Sequence, residues 1–128
     1  MNKVQVPQGY QQVMPYLILN DANGFLQFVT EVFEAKEKML MHRDDKSIMH
    51  GEVFIGDSVI MFAQATSEFP AGPGASFFIY VADVDKTFQD VLNRGGTAVQ
   101  KVDDKDYGRS GGATDPFGNT WWITSAKQ

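Results

Sequence analysis

Leu17-Ile18-Leu19-Asn20-Asp21 and, 62 residues further on, Ile79-Tyr80-Val81-Ala82-Asp83 decide how this chain is read. In each, an apolar run stops at a polar step, and an Asp stands where a helix can begin. An Asp carboxylate there accepts from the unpaired N–H groups of a first helical turn. After Asp21, the residues Phe25, Phe28, Val29, Val32 and Phe33 recur at three- and four-residue steps. After Asp83, Val84, Phe88, Val91 and Leu92 do the same, so each Asp opens an amphipathic helix. Gly56-Asp57-Ser58-Val59-Ile60 and Gly118-Asn119-Thr120-Trp121-Trp122 repeat the spacing of 62. The chain reads as one unit written twice. Two similar halves are expected to face each other across a shared cleft, a natural place for a ligand.

Working outward, strands are predicted over residues 13–19, 38–43, 48–55 and 58–64, with turns at Asp44-Asp45-Lys46 and Gly56-Asp57. Phe69-Pro70-Ala71-Gly72-Pro73-Gly74 is a loop by its Pro and Gly content. Beyond it come a strand over 77–81, the second helix ended by Gly95-Gly96, and a strand over 97–102. The charged residues 103–106 then lead to Tyr107-Gly108-Arg109-Ser110-Gly111-Gly112, which reads as a flexible loop. Asp115-Pro116-Phe117-Gly118 is a turn and 120–124 the last strand. Both halves are assigned the order βαβββ, an α+β fold. The first module covers about 10–66, the linker about 67–75 and the second module about 76–126.

Composition narrows the function classes. The 128 residues carry a net charge of −5 with no basic run, which argues against nucleic acid and anionic membranes as partners. There is no Cys, so there is no thiol nucleophile, thiolate metal site or disulfide. The start, Met1-Asn2-Lys3-Val4-Gln5, has no signal-peptide apolar core, and the longest apolar run, residues 77–82, is too short to span a bilayer. A cytoplasmic protein is the expectation.

Five stretches together carry a resemblance: Met14-Pro15-Tyr16-Leu17; Phe28-Val29-Thr30-Glu31-Val32-Phe33; Met49-His50-Gly51-Glu52-Val53-Phe54-Ile55-Gly56-Asp57-Ser58-Val59; Tyr80-Val81-Ala82-Asp83-Val84-Asp85; and Gly108-Arg109-Ser110-Gly111 through Asp115-Pro116-Phe117-Gly118-Asn119-Thr120-Trp121. The pattern resembles the vicinal oxygen chelate superfamily of glyoxalase I, bleomycin-resistance proteins and extradiol dioxygenases, and most of all its PhnB-like, glyoxalase-like branch. The resemblance implies paired βαβββ modules, each curling a sheet around half of one cleft, and commonly a homodimer. Some relatives carry a ubiquinone-pathway methyltransferase label. No glycine-rich nucleotide loop supports methyl transfer in this sequence.

The resemblance also implies four inward-facing metal positions, held in metal-dependent members by His, Gln or Glu. Here they fall on Met14, on Ile60 or Met61, on Ser76 and on Trp122. None offers the N or O donor usual for a divalent centre. No cofactor is therefore expected, and a divalent metal only at a site unlike the family's. Strand alternation then places Tyr16 and Ile18 beside Met14, Phe78 and Tyr80 beside Ser76, and Thr120 and Thr124 beside Trp122. Leu17, Leu19, Phe77, Ile79, Val81, Trp121 and Ile123 take the opposite, helix-covered faces. The cleft face is thus aromatic with hydroxyls, suited to a small, partly apolar organic ligand, with a filled core as the plain alternative.

Met14, Tyr16, Phe78, Tyr80, Arg109 and Trp122 are the candidate ligand contacts. His50 and Glu52, two apart on one strand, share a face and are the candidate catalytic pair. The alternative for them is a structural hydrogen-bonded pair. His42 could approach His50 across the hairpin. Arg109 suits an anionic group on a ligand or, equally, a surface pair with Asp103, Asp104 or Asp106. Asp83 and Asp85 read as helix-start residues. The expected function is binding of a small organic molecule without the usual metal. The alternatives are a metal-dependent lyase or isomerase built on His50 and Glu52, and a ligand-free dimerisation scaffold.

Overall fold

The computed structural model describes residues 3–127. Met1 and Asn2, part of the start read above, lie outside the described residues. The elements run β1 (Tyr16–Leu19), α1 (Ala22–Phe33), β2 (Lys36–His42), β3 (Ile48–Ile55), β4 (Ser58–Gln64), then β5 (Ser76–Tyr80), α2 (Val84–Asn93), β6 (Thr97–Lys105), β7 (Gly108–Thr114) and β8 (Thr120–Ala126). The chain divides into two compact units between Gly72 and Pro73. Each is βαβββ. The first sheet has the order β1-β4-β3-β2 and the second β5-β8-β7-β6. In each, the first strand pairs parallel with the last, and the helix carries the chain across the sheet from that first strand to the opposite edge strand.

Both helices begin as their Asp residues require. Asp21 accepts from Gly24 N at 2.9 Å and Asp83 from Lys86 N at 3.2 Å. In the first unit Phe25, Phe28, Val29, Val32 and Phe33 are buried, and the Phe25 ring meets Phe62 of β4 edge-on at 5.4 Å. Burial of one such side chain contributes roughly 1.5–3 kcal/mol. Phe62 fits because its β3 partner is Gly51; a Cβ there would stand 2.5 Å from the ring. In the second unit Ile123 plays the part of Phe62 and Gly111 that of Gly51. A Cβ on Gly111 would lie 2.7 Å from Val102 and 3.2 Å from Phe88 of α2.

Two readings of the sequence are corrected. Residues 107–112 are not a flexible loop: Gly108–Thr114 is β7, a central strand, and β6 runs on through the charged residues to Lys105. The glycines serve close packing, since side chains at 111 and 112 would collide with Val102 and Trp122. The 62-residue spacing is also not uniform. Tyr16 lies opposite Met61, and Met61 opposite Glu52; Phe78 lies opposite Trp122, and Trp122 opposite Gly112. The offset is therefore 62 in the first strand, 60 in the third and 61 in the fourth. Met61, not Ile60, is the counterpart of Trp122. Gly56 and Gly118, 62 apart, are not equivalent. The first hairpin turns tightly at Gly56-Asp57, whereas Asp115–Asn119 is longer and knotted on Asp115. That buried carboxylate accepts from the backbone of Phe117 and Asn119, from Asn119 Nδ2 and from Trp121 Nε1 at 2.8–3.0 Å.

Candidate functional site

In the first unit the row Tyr16, Met61, Glu52 crosses the sheet on the face away from α1, because the adjacent row Leu17, Phe62, Gly51 faces the helix. Glu52 is the buried charge of this face, only 4% exposed. Its two oxygens are fully engaged. Tyr10 Oη donates to Oε1 at 2.7 Å, and His50 Nε2 meets Oε2 at 2.7 Å. Lys38 Nζ stands 3.8 Å from Oε1 and 3.7 Å from the centre of the Tyr10 ring. The other imidazole nitrogen, His50 Nδ1, lies 3.1 Å from Tyr16 Oη. A chain of contacts thus runs Tyr10–Glu52–His50–Tyr16 from the buried carboxylate out to a phenol that is 49% exposed.

Burial pushes the Glu52 carboxyl up. The hydrogen bonds from His50 and Tyr10, with the charges of His50 and Lys38, outweigh it and hold Glu52 below the usual carboxylate range. Local sequence explains how the partners arrive. The register of β2 slips between Glu37 and Met39, so Lys38 is an extra residue in the strand, at a bulge that re-aims its side chain. Tyr10 follows the turn Pro7-Gln8-Gly9, closed by Tyr10 N donating to Pro7 O at 3.2 Å, with Gly9 at φ +85°. Gln11 then fastens this arm to β4. Its Nε2 donates to Asp57 O and its Oε1 accepts from Val59 N, at 3.0 and 3.1 Å.

The arm walls an open pocket of about 500 Å³ over the sheet. Val4, Val6 and Tyr10 line it from the arm, and Met14, Glu52 and Met61 from the sheet side. Of the residues singled out from sequence, the structure brings Met14, Tyr16, Met61, His50 and Glu52 together in this unit. His42 is exposed and pairs with Ile48; Met41 is the residue opposite His50. Tyr10, Gln11 and Lys38 were missed. Pro7-Gln8-Gly9 was a legible turn signal for the first two, and nothing in the sequence marks the bulge at Lys38.

In the second unit Phe78 and Tyr80 are exposed and pack edge-on at 5.4 Å, with Tyr107 6.3 Å from Phe78. Trp122 lies over Gly112, where a Cβ would come within 2.5 Å of its ring. Ser76, opposite Thr120, is exposed. Ser110 and Thr124 share a buried hydroxyl contact of 2.8 Å. Arg109 grips Asp85 through Nε and Nη2 at 2.8 and 3.0 Å and reaches Asp104 through Nη1 at 3.0 Å. Hydrogen bonds to Asp85 and Asp104 raise the guanidinium above its ordinary range, and the bond from Arg109 lowers Asp85. Asp85 is thus a partner for Arg109, while Asp83 makes the helix cap.

A family model, the Glyoxalase/Bleomycin resistance protein/Dioxygenase superfamily, matches residues 9–123, and the chain belongs to that superfamily. Uncharacterized protein Mb0911c of Mycobacterium bovis is 30% identical, over 84% of this chain and 78% of its own length. Among solved structures, TioX from Micromonospora sp. ML1 superposes with a TM-score of 0.73 at 19% identity, covering 91% of this chain and 99% of that one. A PhnB protein from Bacillus cereus, described as a putative 3-demethylubiquinone-9 3-methyltransferase, gives 0.71 at 15% identity over 91% and 100%. The fosfomycin resistance protein FosX from Mesorhizobium loti gives 0.62 at 18% identity over 91% and 92%. At these identities the structures establish a common fold. Among the described residues, no helix is long and apolar enough to cross a membrane.

Proposed function

We propose that this protein binds a small, partly apolar organic molecule in the first unit, and does so without the divalent metal of its metal-dependent relatives. The observation that carries the reading is the pocket under the arm, lined by the thioethers of Met14 and Met61; the family resemblance assigns metal ligands to these two positions. Thioethers are poor donors to hard or borderline divalent ions and good packing surfaces for flat apolar groups. Ser76 and Trp122, at the other two positions, supply no carboxylate or imidazole either. The donor set does not fit the group. Among the described residues no three of His, Asp and Glu are placed to hold a metal ion.

A thermal-shift screen of small aromatic compounds on protein stripped with EDTA tests this. A binder raises the melting temperature because it prefers the native state. The rise is expected to survive EDTA and to vanish in Met61→Lys, which puts a charge into the pocket. Metal-activated turnover of a small substrate, lost in both His50→Ala and Glu52→Ala, would overturn it in favour of a lyase or isomerase at that pair.

A further inference from the structure

His50 has both ring nitrogens committed, and that fixes what Tyr16 can offer a ligand. Glu52 is held ionised, so the nitrogen facing it, Nε2, carries a proton. When the ring is neutral, Nδ1 is a bare acceptor, and the 3.1 Å contact must be filled by the Tyr16 proton. Tyr16 then shows only lone pairs to solvent. When the ring is an imidazolium, Nδ1–H donates to Tyr16 Oη, and the phenol proton is released to point outward. One proton on His50 therefore converts the exposed end of the chain from an acceptor into a donor.

Charge runs the same way. His50 touches two titratable groups, Glu52 on its own strand and Tyr16 on β1, and Lys38 on β2 and Tyr10 on the arm meet Glu52 from its other side. With a neutral imidazole, Lys38 and Glu52 cancel. With an imidazolium, the cluster has one excess positive charge next to an outward O–H. Tyr16 lies outside the pocket lining but is the strand neighbour of Met61, one of the two thioethers on the pocket floor.

From this geometry we infer that the site takes organic oxyanions, carboxylates or phenolates with an apolar body, and binds them together with one proton. The ring of such a ligand lies against Met14 and Met61. Its anionic oxygen accepts from Tyr16, and the proton taken from solvent resides on His50. No bond other than O–H and N–H changes. This rests on the pocket reading above and adds the class of ligand and the linked proton.

The probes are benzoate and its neutral isostere benzamide, titrated calorimetrically at about pH 6.5 in two buffers of different ionisation enthalpy. Benzoate is expected to bind with a net uptake of protons, a fraction of one per site, and benzamide, which offers both a donor and an acceptor, with none. In Tyr16→Phe, benzoate binding falls by about tenfold or more, the size of one charge-assisted hydrogen bond. In His50→Gln its proton uptake disappears, while benzamide binding by both variants reports that the pocket is intact. Benzoate bound without proton uptake, or bound equally by Tyr16→Phe, overturns the proton linkage and leaves the pocket reading standing. Binding of neither probe by the parent protein overturns both.

Discussion

The two units share one backbone plan and differ in what they put on the sheet face away from the helix. The row Tyr16, Met61, Glu52 in the first corresponds to Phe78, Trp122, Gly112 in the second. Two residues before Glu52 stands His50; two before Gly112 stands Ser110. A carboxylate and imidazole in one unit are thus replaced by an indole over a glycine and a sealed hydroxyl pair in the other. The helix-covered face is held to shape by close packing, as Gly51 against Phe62 and Gly111 against Val102 and Phe88 show. The opposite face is free to diverge, and here charged chemistry collects on one side of the repeat.

Five substitutions sharpen or break that contrast. The largest effect is expected from Gly51→Ala. Its Cβ meets the fully buried Phe62 ring, and overpacking a fixed core costs about 3 kcal/mol. Gly112→Ala meets the partly exposed Trp122, whose ring can swing away, so about 1 kcal/mol is expected. Equal losses in urea unfolding would show that the two faces are equally rigid.

Next comes Glu52→Gln, which weakens three partners at once and should cost about 2 kcal/mol near neutral pH. It also carries a pH signature. A carboxyl held lower in the folded than in the unfolded state adds stability above its unfolded value. That stability is lost as pH falls through the folded one. Parent and variant should therefore converge in acid, and a gap that does not narrow as pH falls from neutral through the carboxylate range would contradict the assignment.

Smaller, and of opposite sign, is Glu34→Gly. Helix α1 ends on Glu34 at φ +58°, in the left-handed region, whereas α2 is followed by Gly95 at φ +96°. Giving the first unit the glycine of the second should stabilise it by about 1 kcal/mol, read as a rise in melting temperature. The smallest effect belongs to Asp85→Asn, which removes an exposed partner of Arg109. Little change in stability is expected, because solvent screens such pairs.

Much of this was legible beforehand. Asp21 and Asp83 announced both helices, and the alternation of Leu17, Leu19, Trp121 and Ile123 gave the buried faces. His50 and Glu52 were placed on one face by their spacing alone. What sequence could not show came from one- and two-residue slips. The bulge that aims Lys38 and the longer Asp115–Asn119 turn leave no periodic trace, so the spacing of 62 leaves the counterpart of Trp122 open between Ile60 and Met61. The Gly-rich β7 was misread because glycine signals a loop and a crowded strand in the same letters. Tyr10 was missed because its partner lies 42 residues away.

The central claim is that a ligand sits on the first unit's Met14 and Met61 floor without metal. Labelling the methyl groups of the six methionines and recording their carbon–proton spectrum tests it most directly. On adding benzoate in EDTA, the Met14 and Met61 signals should move, while Met49, exposed on β3, stays in place. Unmoved Met14 and Met61 signals, or shifts that appear only once a divalent metal is restored, would contradict it.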